Sequence, residues 1–187
     1  MDKKTKVAVI VGSLRKGSYS RMVAKAVSGM NARLDCEIAE IGQLQHFNQD
    51  LEQTPSAEWK AFKERIQGSD AVLFVTPEYN RSIPGVLKNA IDVASRPYGQ
   101  SAWAKKPAAV LGVTPGALGA FGAANHLRQS LAFLDMPTLQ QPEAYLSGVA
   151  KFFDEGGKLT NADTEAFLRK FMDAFAAWID TTRAKTS

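Results

Sequence analysis

Two rhythms of apolar and polar positions alternate along this chain. Continuous apolar, β-branched runs at Lys6–Val11, Ala71–Val75 and Ala108–Val113 have the character of strands covered on both faces. Leu34–Ile41 alternates and predicts a further strand. Thr138–Gln141, following Met136-Pro137, predicts a short last one. Between these runs the apolar spacing changes to three or four residues, the period of a helix with one buried face. Helices are predicted over Ser20–Met30, Ala57–Gln67, Pro84–Ala94, Ala123–Leu134 and Asp163–Thr182. In the last, Phe167, Phe171, Phe175 and Trp178 recur on one side, and Thr160 followed by Asp163 suits its N-terminal cap.

Five strands alternating with five helices predict an α/β fold: a doubly wound, five-stranded parallel sheet with helices on both faces. Ligands of such sheets bind beyond the carboxyl ends of the strands, where the strand order reverses. That directs attention to the loops 12–21, 76–84 and 114–122. Composition adds bounds. With 187 residues, 45% hydrophobic and 22% charged, residues 1–187 are expected to form one domain that folds by burial alone. The lone Cys36, between Leu34 and Ile38 on a predicted strand, reads as a buried, inert thiol. Two distant histidines, His46 and His126, form no local metal motif, so no metal is expected. His126 is expected at the surface or an interface, with no Ser/Asp pattern to make it a triad base. Trp103 and Tyr98 mark either a subunit contact or a small local core.

The net charge of +4 is mild, but its distribution is uneven. Residues 1 to 33 carry Lys3, Lys4, Lys6, Arg15, Lys16, Arg21, Lys25 and Arg33 against Asp2 alone, which suits an anionic ligand near the first strand and helix. No basic stripe interleaved with aromatics points to nucleic acid. No apolar run reaches the length of a signal core or a membrane span, so a cytoplasmic protein is expected.

The first loop reads GSLRKGSYSR. Ser13, Ser18 and Ser20, with backbone N–H groups at a helix N-terminus and the guanidinium of Arg15, suit a terminal phosphate. Gly12 and Gly17 alone do not make the G-x-G-x-x-G dinucleotide fingerprint, and Ser18 and Tyr19 stand where a Walker A loop needs Lys and Ser or Thr. An ordinary capped turn is the alternative. The second loop, TPEYNRSIPG, is stiffened by Pro77 and Pro84 and offers Glu78, Tyr79 and Asn80 to a planar ring; a solvated turn is again the alternative. The third, GVTPGALGAFG, has four glycines that allow either close backbone approach to a ligand edge or tight helix packing. One phosphate-like loop and two ring-like loops fit a mononucleotide better than a dinucleotide, with FMN the leading candidate.

With GSLRKGSYSR and PEYNRSIPGVLKNAID, the whole chain resembles the NAD(P)H-dependent FMN reductases, and within them the quinone and chromate reductase group of flavodoxin-like fold. The resemblance implies bound FMN, NADPH or NADH as electron donor, and a quinone, free flavin or chromate as acceptor. It places the phosphate at Ser13, Arg15, Ser18 and Ser20, and the isoalloxazine at Pro77, Glu78, Tyr79 and Asn80 with Thr114 and Gly116. Arg81 and Ser82 fall at the substrate side, and no catalytic side chain is required, because the cofactor carries the chemistry. Arg15, Lys16, Arg21 and Arg81 favour the 2′-phosphate of NADPH. A homodimer or homotetramer is implied, with Gly122 and Asn125 where some tetrameric relatives carry larger polar residues, and Ser20 where many carry Asn. The alternative is a flavodoxin-like electron carrier; such carriers tend to be acidic, unlike this chain.

Overall fold

The structure, a computed structural model, describes residues 4–183; Asp2 and Lys3 of the basic N-terminal stretch lie outside it. Five strands, β1 (Thr5–Val11), β2 (Leu34–Ala39), β3 (Ala71–Thr76), β4 (Ala108–Val113) and β5 (Ala144–Leu146), pair in parallel in the order β2-β1-β3-β4-β5. The doubly wound α/β expectation holds, and this strand order is that of flavodoxin-like sheets. Four helices connect the strands, α1 (Tyr19–Val27), α2 (Ala57–Gln67), α3 (Gly85–Ser95) and α4 (Phe121–Phe133), and a fifth, α5 (Ala162–Arg183), follows β5.

Side-chain alternation along the strands sorts the core into two layers. Val7, Val9 and Val11 of β1 face α1 and α5, where they meet Val23, Leu168, Phe171 and Phe175. Ala8 and Ile10 face the opposite layer, with Phe62 of α2, Leu87 of α3 and Leu127 of α4. The central strand β3 is buried at every position, which is why it reads as an unbroken apolar run. Trp103 belongs to the second layer. It is fully buried, its indole N–H donates to Ile91 O at 2.9 Å, and it packs edge-on against Phe62. Tyr98, by contrast, is exposed, so the two aromatics of this loop have different roles.

The fifth strand departs from expectation. Thr138 makes one isolated bridge to Ala108, and Leu139 N–H donates to Ala108 O at 2.8 Å. The segment touches the start of β4 and leaves before a ladder forms, and Pro142 has no N–H to offer. Pairing resumes where Ala144–Leu146 registers with Leu111–Val113. The α5 cap differs too. Thr164 N–H donates to Asn161 Oδ1 at 2.8 Å, whereas the Thr160 hydroxyl donates back to Phe152 O, so Asn161 provides the cap. Cys36 is half-buried rather than fully enclosed. Burial, and then the neighbouring Asp35 carboxylate, push its thiol up to about 11.

Candidate functional site

Loops 12–18, 76–84 and 114–119 leave the carboxyl ends of β1, β3 and β4, which are adjacent in the sheet. The first two flank the point where the chain turns to opposite sides of β1, the position at which doubly wound sheets hold ligands. They also touch: Gly12 N–H donates to Val75 O at 2.9 Å, and a Cβ on Gly12 would lie 3.2 Å from Leu87 and from the Thr76 hydroxyl, and 3.3 Å from Pro77.

The first loop opens a helix. Ser18 is the N-cap of α1, its Oγ accepting from Arg21 N–H at 3.2 Å. The helix therefore starts at Tyr19, one residue before the predicted Ser20. Ser13 and Ser20 are buried, yet no side-chain partner of either is found among the described residues. The backbone N–H groups of Tyr19 and Ser20, which open the helix, likewise have no acceptor in the described fold. Orphan donors at a helix N-terminus beside two free hydroxyls match a phosphate in charge and in hydrogen-bond type. Arg15 is exposed, donates to Gly17 O, and lies 5.2 Å from the centre of the Tyr19 ring. Arg21 turns away to Glu40 at the end of β2, and that hydrogen-bonded pairing raises the guanidinium and lowers the carboxylate.

The second loop forms a tight reversal. Tyr79 N–H donates to Ser82 O and Ser82 N–H to Tyr79 O, both at 3.0 Å. Asn80 and Arg81, the two residues at its tip, have φ of 52° and 63°. Two consecutive left-handed residues define the type I′ hairpin turn, which favours Asn at the first position and usually Gly at the second. Tyr79 is exposed at the rim. Glu78 is mostly buried: Oε2 accepts from Ala123 N–H at 3.0 Å and Oε1 from Arg81 at 3.1 Å. The carboxylate thus serves the start of α4, a helix with no side-chain cap of its own. A Cβ on Gly122 would approach Glu78 Oε2 to 2.9 Å, so the glycine allows this contact.

The third loop is laced to the chain after β5. Thr114 N–H donates to Leu146 O, Gly148 N–H to Gly116 O, and Ser147 Oγ to Ala117 O. The Thr114 hydroxyl accepts from Gly116 N–H at 3.1 Å. Gly119, with φ of 60°, lies against Tyr145 so closely that a Cβ there would fall 2.6 Å from Tyr145 Cβ.

Sequence reasoning missed one contact at this rim. The exposed His126 on α4 places Nδ1 2.7 Å from Ser82 Oγ. The two residues are 44 positions apart, and nothing local in the sequence announces the pairing. The expectation of a surface histidine holds, but it has a serine partner.

A parallel sheet in flavodoxin order, with unpaired donors at a helix N-terminus and two tight loops at its switch point, defines the class of doubly wound α/β protein that holds ligands at this end of the sheet. Comparison with known proteins makes this specific. The profile of the NADPH-dependent FMN reductase family matches residues 5–151, and the chain belongs to that family. It is 59% identical over 180 residues to a quinone reductase of Pseudomonas putida, covering 95% of this chain and 96% of that one. It is 42% identical over 179 residues to the 2-hydroxy-1,4-benzoquinone reductase of a Burkholderia species, covering 95% and 98%. Among solved structures, the flavoenzyme NAD(P)H:(acceptor) oxidoreductase FerB of Paracoccus denitrificans superposes with a TM-score of 0.90 at 44% identity, covering 95% of this chain and 98% of that one.

Proposed function

We propose that this protein is an FMN-dependent reductase that oxidises NAD(P)H and reduces quinones. The observation that carries the reading is the set of unpaired donors at the start of α1, placed beside two ring-sized loops at the switch point. In this reading Ser13, Arg15, Ser18 and Ser20, with the Tyr19 and Ser20 N–H groups, bind the phosphate of FMN. Pro77, Glu78, Tyr79 and Asn80 face the ring from one side and Thr114 and Gly116 from the other. FMN supplies the hydride chemistry when bound. The protein contributes position: Arg81 at the tip of the hairpin and Ser82 just after it orient the second reactant, and a short stiff loop keeps it near the ~3 to 3.5 Å separation that transfer requires.

One rim serves donor and acceptor in turn, so turnover is ping-pong, with parallel lines in double-reciprocal plots; intersecting lines would refute that order. The open rim also admits small oxidants such as chromate. An NAD(P)H donor fits the cytoplasm, and no helix among the described residues is long and apolar enough to cross a membrane. The chain acts as a homodimer or homotetramer, joined across the groove of about 700 Å³ between α3 and α4 where Tyr98 and Phe133 are exposed. Light scattering at micromolar concentration should give a multiple of the chain mass; a monomer would remove this part. The decisive experiment is the visible spectrum of the purified protein, before and after anaerobic NADPH. A flavin spectrum that bleaches is expected, and oxidation of NADPH with a quinone and no partner protein separates the reductase from an electron carrier. A colourless protein that takes up no FMN would overturn the reading.

A further inference from the structure

We infer that His126 is a positioning residue for the ring loop, holding the Tyr79–Ser82 turn in its left-handed conformation through the Ser82 hydroxyl. The inference rests on the placement of the ring proposed above. Its starting point is that the turn is not at ease by itself. Arg81 occupies a left-handed conformation at φ of 63°, which is unfavourable for a residue that carries a Cβ. Such a conformation persists only where the surroundings over-determine it.

Within the hairpin the paired Tyr79–Ser82 backbone bonds and the Arg81–Glu78 ion pair hold it, and two further contacts reach it from α4. Glu78, just before the turn, accepts from Ala123 N–H at 3.0 Å. Ser82, its last residue, meets His126 Nδ1 at 2.7 Å. Ala123 and His126 are three residues apart and share one face of the helix, so one rigid element grips both ends of the hairpin. Between these grips lie Tyr79, Asn80 and Arg81, the residues proposed to face the ring and the second reactant. The Ser82 contact survives a change of tautomer: Nδ1 accepts from the hydroxyl when the ring proton is on Nε2 and donates to it when the proton is on Nδ1. Geometry at Nδ1 is therefore the requirement, and Nε2 is dispensable.

That asymmetry supplies the test. An Asn side chain places its amide near the Nδ1 position, whereas Gln reaches the Nε2 position. Full-length wild-type protein is compared with His126→Ala, His126→Asn, His126→Gln, Ser82→Ala and the Ser82→Ala/His126→Ala pair. Backbone hydrogen exchange of residues 79–83 without added FMN, and FMN affinity by flavin fluorescence, are both measured. Exchange at Phe74 and Val75 of β3 is the control for global unfolding. About five- to tenfold faster exchange in the turn and a similar loss of FMN affinity are expected for either alanine variant, the size of one net hydrogen bond. The double variant should be no worse than the single ones. His126→Asn should recover to within about twofold of wild type, since the bond is remade, while His126→Gln should not. Unchanged exchange in His126→Ala, additive losses in the double variant, or equal behaviour of Asn and Gln would overturn the inference. So would faster exchange with unchanged FMN affinity. If wild type bound no FMN, the proposed function would fall, and the exchange data would still decide the anchor.

Discussion

Replacing Gly119 with alanine is a stringent test of how the third loop is held. Two costs add. The residue sits at φ of 60°, and a left-handed conformation disfavours a Cβ by about 1 to 2 kcal/mol. The new Cβ would fall 2.6 Å from Tyr145 Cβ and 2.8 Å from its carbonyl carbon and oxygen, roughly 1 Å inside ordinary carbon contact. Tyr145 cannot withdraw cheaply, because its backbone pairs with Gly112 in the β4–β5 ladder. Overpacking of this kind costs about 1 to 3 kcal/mol. Alanine also restricts the unfolded chain, which returns about 0.4 to 1 kcal/mol. The expected net loss is about 1 to 4.5 kcal/mol, or a fall in Tm of roughly 2 to 18 °C for a chain of this length. Urea unfolding of the FMN-free protein gives the stability, and flavin fluorescence gives the affinity, which should drop because Thr114 to Gly119 shifts with its anchor. A change under about 0.5 kcal/mol, with affinity intact, would refute the claim that this contact fixes the loop.

Arg15→Ala should weaken FMN by about 1.5 to 3 kcal/mol, the range for a bond to a charged group, and equal affinity of wild type for riboflavin and FMN would contradict a phosphate site. Cys36, with its thiol pushed up to about 11, should react with a thiol reagent at pH 8 much more slowly than a free cysteine and accelerate only in strong alkali; rapid labelling at pH 7 would disagree. The Glu40 carboxyl lies below its ordinary range, chiefly through the hydrogen bond from Arg21. A lowered carboxylate contributes stability above its unfolded pKa and loses it as pH falls through the folded value. Glu40→Gln should therefore reduce stability near pH 7 and converge with wild type in acid. The pair is partly exposed, so the difference should be no more than about 1 kcal/mol.

Strands buried on both faces left the clearest trace in the sequence: Ala108–Val113 appears in the structure with the predicted limits, and Ala71–Thr76 is one residue longer. The Ala57–Gln67 helix was equally legible, because Ser56 caps it and Gly68 ends it. A three-residue edge strand such as Ala144–Leu146 is too short to show a period, and a proline-bounded segment nearby imitated it better. The three loops could be placed at one end of the sheet because a parallel sheet leaves no alternative. What they touch could not be read. Nothing in the sequence signals that the Glu78 carboxylate accepts from Ala123 N–H and from Arg81; only the fold brings them together. The Ser82–His126 contact is invisible for the same reason: side chains meet across elements whose separation carries no local pattern.

The arrangement at Glu78 bears on how the molecule assembles. The start of α4 takes its capping acceptor from a loop 45 residues upstream, while its own preceding residue, Ala120, is left-handed and offers no side-chain bond. Most helices close their first turn with a neighbour in sequence and can nucleate early. This one completes its first turn with a carboxylate that arrives only through the tertiary fold. The Glu78 loop and the first turn of α4 are therefore coupled in energy, and a change that loosens one withdraws a hydrogen bond from the other.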